Sequence, residues 1–253
     1  MWRIVMLLVA TAVGVSALSP RGITPSDRAR RLAGIPQTVL WAWERPEDLR
    51  EIASGEAIAF LAQTITIRDG APITELRRQP LRVPDATTLV AVTRLESPRP
   101  KQLALNEGQT AVIVDAIVRS SQLRRVVAVQ IDFDATESQR ALYLALLHAT
   151  RAALDETVPM SITALASWCV GDRWLQSAPV DEVVPMLFRM GPLSDGVKVA
   201  ARSTALLDPR CTGAVGISLD EPLRIVRHDR RVYAFSPRAW TRADVDRVRR
   251  IDQ

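Results

Sequence analysis

The sequence predicts an α/β fold, a (β/α)8 TIM-like barrel that is reduced or irregular with some helices missing, and three observations carry that expectation. Eight strand-length apolar runs follow one another between residues 38 and 236, with helical patterns in several of the gaps. Without its first 34 residues, the 253-residue chain is near the lower size limit of such barrels. The runs also share an asymmetry: apolar in their N-terminal halves, polar or aromatic at their C-terminal ends. In a barrel those ends form one face, where active sites sit. An open doubly wound sheet is the alternative arrangement.

The first strand spans 38–43 (TVLWAW), and Pro46 followed by Glu47 and Asp48 reads as the first turn of a helix. The second, 57–67, is followed by Asp69-Gly70, a hairpin turn signal, and the Pro-rich stretch to Pro84 offers no helix. The third, 88–96, leads to an apolar helix over 109–122. The fourth, 126–135 (VVAVQIDFDA), turns abruptly from apolar residues to carboxylates. Thr136 and Gln139 then form a capping box, and Leu142, Ala145, Leu146, Ala149 and Ala153 trace one helical face. The fifth strand, 159–166, runs into Ser167-Trp168-Cys169, and the sixth, 183–190, precedes a short helix over 194–206. The seventh, 214–219, ends in Asp220-Glu221-Pro222. The eighth, 231–236, precedes a helix capped by Thr241 with Val245 and Val248 on one face. The gaps after strands two, five and seven hold weak helices or none.

Residues 1–17 read as an export signal, with a basic start, an apolar run over 4–15 and small residues at Val15-Ser16-Ala17. The run is short for a membrane span, so a membrane partner enters only if the segment is an uncleaved anchor. Residues 18–34 read as a polar linker and 35–253 as a single barrel domain. Export to the periplasm or medium gives the two cysteines a meaning. Cys169 and Cys211 are expected to pair, closing a loop of about 40 residues worth roughly 3–4 kcal/mol in the chain-entropy model. The net charge of +5 comes from Arg scattered along the chain, Lys occurring only at Lys101 and Lys198. No basic stripe with interleaved aromatics marks a nucleic-acid partner.

Candidate chemistry collects at the strand ends. Gln130, Asp132 and Asp134 alternate, so in a strand they share a face, with the two carboxyls about 6.6 Å apart along it. Polar side chains at the end of a buried strand are costly to fold around and are better explained by a site than by packing. In a partly desolvated mouth one carboxyl is pushed up while the other stays ionised, the division of labour that protonates a glycosidic oxygen. The structural alternative pairs Asp132 with Arg94 and sets Asp134 against the following helix N-terminus. Asp220 or Glu221 either faces the fourth strand as a second catalytic group or simply ends a strand. Glu44 and Glu96 line the same mouth or pair with Arg45 and Arg94. Trp43 and Trp168 are candidates for stacking on a sugar, with Trp240 at the same end, packing being the alternative for each. His148 lies within a helix and His228 in a loop, and no G-x-S-x-G elbow, P-loop or dinucleotide glycine pattern occurs. Two cysteines without supporting His spacing make no zinc site, so neither metal nor cofactor is expected.

Three segments resemble an uncharacterised bacterial family catalogued as domain-of-unknown-function family 3142. They are WAWERPEDL (41–49), VQIDFDAT (129–136), and SITALASWCVGDRWL with VDEVVPMLFRMG (161–175 and 180–191). That resemblance implies the fold and no established activity. A remoter likeness is to chitinase-like glycoside hydrolases, whose fourth barrel strand carries a D-I-D-x-E pattern. It gives Asp132 the place of the supporting aspartate and Asp134 that of the acid. Gln130 stands where that pattern has aspartate, and Asp134 is one methylene shorter than its glutamate. The function expected is an exported glycoside-hydrolase-like protein acting on a polysaccharide or glycoconjugate. The alternative is a non-catalytic carbohydrate-binding or envelope-assembly protein on a degenerate barrel.

Overall fold

The computed structural model describes residues 24–51, 55–68, 71–98, 103–170, 173–189, 208–221 and 229–251. Its strands are β1 (Thr38–Ala42), β2 (Glu47–Asp48), β3 (Ala57–Thr66), β4 (Ile73–Leu76), β5 (Leu81–Arg82) and β6 (Leu89–Glu96). They continue as β7 (Val126–Asp132), β8 (Met160–Leu165), β9 (Glu182–Met186), β10 (Ala214–Ser218) and β11 (Arg231–Phe235). The described helices are α1 (Pro25–Leu32), α2 (Glu107–Ser121), α3 (Arg140–Ala153) and α4 (Arg242–Ile251). Eight strands run parallel in the order β1, β3, β6, β7, β8, β9, β10, β11, and β1 pairs with both β3 and β11, closing the barrel. The eight apolar runs of the sequence are these eight strands.

Alternate residues of each strand point into the bore. Trp41 Nε1 on β1 donates to Gln130 Oε1 on β7 at 2.8 Å, a bond between non-adjacent strands that passes through the interior. Val39, Ala59, Val92, Ala128, Val184 and Tyr233 fill the space around it. The wide indole fits because β10 carries Gly216, where a Cβ would stand 2.9 Å from Trp41 Cη2. The other strand faces are covered outside the barrel. On one flank Ile113 and Ile117 of α2 pack with Tyr143 and Leu147 of α3, and on the other lie Val245 and Val248 of α4.

Local signals account for the helix positions. Asn106 and Gln109 form a capping box that starts α2, and Thr136 with Gln139 forms the expected one, opening a 3-10 turn that leads into α3. The barrel is irregular where helices were not expected. After β3 the chain turns back as β4, antiparallel with Thr66 opposite Ile73, although Asp69-Gly70 itself lies outside the described residues. After β8 come two short 3-10 turns, Ala166–Cys169 and Trp174–Ser177. Cys169 and Cys211 form the expected disulfide, tying the turn after β8 to the one before β10.

Two expectations are corrected. Pro46 starts no helix: Glu47–Asp48 is strand β2, paired in parallel with β5. Glu47 and Leu49 are buried while Asp48 is exposed, a period-2 pattern, and Glu47 accepts from Arg45 Nε at 2.7 Å and from the Trp240 backbone N–H at 3.1 Å. The linker contains helix α1, capped by Thr24 and Asp27. It is fastened to the barrel because Arg31 pairs with Asp181 at 3.1 Å and the Leu32 carbonyl accepts from Arg231. The export signal over 1–17, the helix over 194–206 and His228 lie outside the described residues. Among those described, no helix is long and apolar enough to cross a membrane.

Candidate functional site

The C-terminal ends of the barrel strands form a mouth with two unlike sides. On one side β6 and β7 deliver charge. Gln130 is fully buried in the bore, held by Trp41 and donating to Ser161 Oγ at 3.2 Å. One strand repeat further, Asp132 is half-buried and its Oδ1 accepts from Thr163 Oγ1 on β8 at 2.6 Å. Asp134 lies beyond the strand end and is exposed. The two carboxyls, with Thr66, Arg94, Glu96 and Gln139, line a cleft of about 370 Å³.

The electrostatics of the pair follow from this placement. Burial pushes the Asp132 carboxyl up, and nearby Asp134 pushes in the same direction against the Thr163 hydrogen bond. Partial desolvation against the cleft wall also raises Asp134, exposed as its outer edge is, with Arg94 opposing. Arg94 is not spent on Asp132: its Nε pairs with Glu96 at 2.7 Å, with 39% of its side chain exposed. Asp134 stands two residues before Thr136, the N-cap of the turn that leads into α3.

The other side of the mouth is aromatic. Trp43 meets Phe235 edge-on at 6.3 Å, and Phe235 stacks in parallel on Phe188 at 5.9 Å. Guanidinium groups flank the row, Arg94 5.9 Å over Trp43 and Arg189 5.3 Å over Phe235. Trp43, Phe188 and Phe235 are each partly exposed at the mouth. Phe188, Phe235 and Arg189 were not singled out from the sequence. Counting by two from the buried starts Glu182 and Arg231 would have put Phe188 and Phe235 on the inward face.

The remaining candidates separate. Asp220 is exposed at the end of β10, three strands round from β7, and the Ser218 hydroxyl that donates to it holds its carboxyl below the ordinary range. Glu221 Oε1 accepts the backbone N–H of Arg189 at 2.9 Å. Glu44 is exposed beside Trp43. The two other tryptophans are not at the mouth. Trp168, 2% exposed, packs outside the barrel against Tyr143 and Trp174. Trp240, 6% exposed, donates its Nε1–H to the Trp41 carbonyl at 2.9 Å and packs with α4. Both indoles are consumed by packing and are closed to a ligand. Among the described residues, no group of three His, Cys, Asp or Glu gathers to hold a metal ion.

No family model, curated protein or solved structure matches the chain. Fold and site together define the class: a disulfide-bonded TIM-like barrel whose C-terminal mouth sets two carboxyls opposite an aromatic row.

Proposed function

We propose that the protein is an exported, glycoside-hydrolase-like enzyme acting on a polysaccharide or glycoconjugate. The observation that carries this reading is the Asp132–Asp134 pair, both carboxyls pushed up by burial at the end of the fourth barrel strand. A carboxyl whose hold on its proton is raised above the ordinary range is suited to act as a general acid. Asp134, the more accessible, protonates the glycosidic oxygen as the bond to the sugar carbon breaks and its electron pair passes to that oxygen. Asp132, held by Thr163, tunes that acid. Water then adds to the sugar carbon and its proton passes to a carboxylate. Asp220, held ionised by Ser218, is suited to take it. The aromatic row supplies partly exposed apolar surface for the sugar rings, and the disulfide suits an oxidising compartment outside the cytoplasm.

The test is turnover of bacterial and plant polysaccharides by the wild-type protein and by Asp134→Asn. Loss of general acid catalysis lowers turnover by about 10²–10⁴-fold, with binding and fold retained. Undiminished turnover by the variant overturns the assignment. A second reading, a sugar-binding protein without hydrolysis, is favoured by Gln130, an amide locked to Trp41 where the catalytic pattern has an acid. It predicts oligosaccharide binding that Trp43→Ala weakens and no cleavage under any condition.

A further inference from the structure

At one corner of the barrel's N-terminal end, guanidinium groups outnumber the carboxylates that answer them. Asp181, the residue before β9, has a fully buried side chain shared by Arg31 of α1 at 3.1 Å and Arg151 of α3 at 3.7 Å. It also accepts the Met160 backbone N–H at 2.9 Å. Buried Asp208 accepts the Arg210 backbone N–H at 2.8 Å and Gln176 Nε2 at 3.3 Å. Both carboxylates are thereby claimed, and two half-buried arginines beside them pair with no carboxylate among the described residues. Arg210 spends Nη2 on the Val180 carbonyl at 2.6 Å, next in sequence to Asp181. Arg28 stands one helical turn before Arg31, on the same face of α1. Its Nε is buried with no hydrogen-bond partner, as is the Nε of Arg31. Docking of α1 does not require Arg28, because Arg31 on Asp181 and the Leu32 carbonyl on Arg231 already fasten it. Arg30, by contrast, turns to Asp27 at 2.8 Å and is largely exposed.

We propose that Arg28, Arg31 and Arg210 form a binding site for a phosphate group, between α1 and the turn before β10. Half-buried like charges left without a counter-ion are unfavourable, and an anion joining them removes the cost. Guanidinium forks present paired N–H donors that match the oxygens of a phosphate. The electrostatics agree with the placement: burial, then the Arg28 charge, pushes Arg210 down to about 10, against the opposing pull of Asp208 and Asp181. Asp155 and Glu156, both exposed, act on Arg151 and leave Arg28 and Arg210 unanswered. The phosphate is either free in solution or the headgroup of an anionic phospholipid, since both offer the same oxygens. The site lies at the opposite end of the barrel from the acid pair and is independent of the proposed enzymatic activity.

The experiment is calorimetric titration of the full chain with inorganic phosphate, against chloride at matched ionic strength, in the wild type and Arg28→Gln. Sedimentation of both proteins with phosphatidylglycerol or phosphatidylcholine vesicles runs beside it. Phosphate is expected to bind the wild type and raise its melting temperature, and Arg28→Gln to weaken binding by about 10–100-fold, the loss of a charge-assisted hydrogen bond. Without phosphate, Arg28→Gln is expected to melt at or above the wild-type temperature, because the repulsion on Arg210 is relieved. A preference for phosphatidylglycerol that Arg28→Gln loses assigns the lipid headgroup. Phosphate binding with no vesicle preference assigns the free anion. The proposal is overturned if neither phosphate nor phosphatidylglycerol is preferred over its control, or if the preference survives intact in Arg28→Gln. A variant that melts well below the wild type without phosphate also overturns it, because Arg28 would then be part of the packing of α1.

Discussion

The two ends of the barrel carry the same kinds of residue and treat them in opposite ways. At the N-terminal end, buried carboxylates are matched to cations and donors. Glu182 is paired with Arg231 and accepts from Tyr233 Oη at 2.7 Å. Asp181 is held by Arg31 at 3.1 Å and accepts the Met160 backbone N–H at 2.9 Å. At the C-terminal end, Asp132 has one neutral donor, and the adjacent Arg94 is turned to Glu96. Burial without ion pairing is unfavourable for folding. The contrast teaches that the lower end is built for closure. Burial raises the Glu182 carboxyl as well, but Arg231 and Tyr233 answer it there. The upper end leaves Asp132 raised with no cation paired to it, a usual trade at a site of chemistry.

The largest expected effect lies at the lower end. Arg231→Met strips the cation from buried Glu182 and removes donors from the Leu32, Ile35 and Pro36 carbonyls that hold the segment after α1. It should cost about 3–5 kcal/mol in urea unfolding. The matched substitution at the upper end, Arg94→Met, removes a half-exposed partner of Glu96 and should cost less than about 1 kcal/mol. Equal losses from the two substitutions would erase the contrast between the ends.

Much of this was legible in the sequence because each strand announces itself. Apolar runs bounded by turn residues gave all eight barrel strands, and their polar C-terminal ends pointed to the mouth. The Thr136–Gln139 cap fixed the helix after β7, and export reasoning anticipated the disulfide. Failures came where a local signal had a tertiary owner. Pro46-Glu47-Asp48 has the composition of a helix start, but the Trp240 backbone and Arg45 claim Glu47 and draw the segment into a strand. Trp168 and Trp240 stand near strand ends in sequence, and nothing local distinguishes a ring facing the mouth from one packed outside the barrel. The unbonded Nε of Arg28 was equally invisible, since it depends on what surrounds α1 in space.

The most direct measurement is the stability of Asp132→Asn against the wild type from pH 7 down to pH 3. A carboxyl held above its ordinary value of 3.8 binds its proton more tightly in the folded chain than in the unfolded one. Its burden on stability therefore grows as pH rises through the window from 3.8 to the raised value and stays constant above it. The amide carries no such burden and can still accept from Thr163. Asp132→Asn is therefore predicted to be more stable than the wild type at pH 7, with the gain vanishing below pH 3.8. A loss at pH 7 comparable to that of Arg231→Met would contradict the account, because it would make Asp132 a structural partner like Glu182.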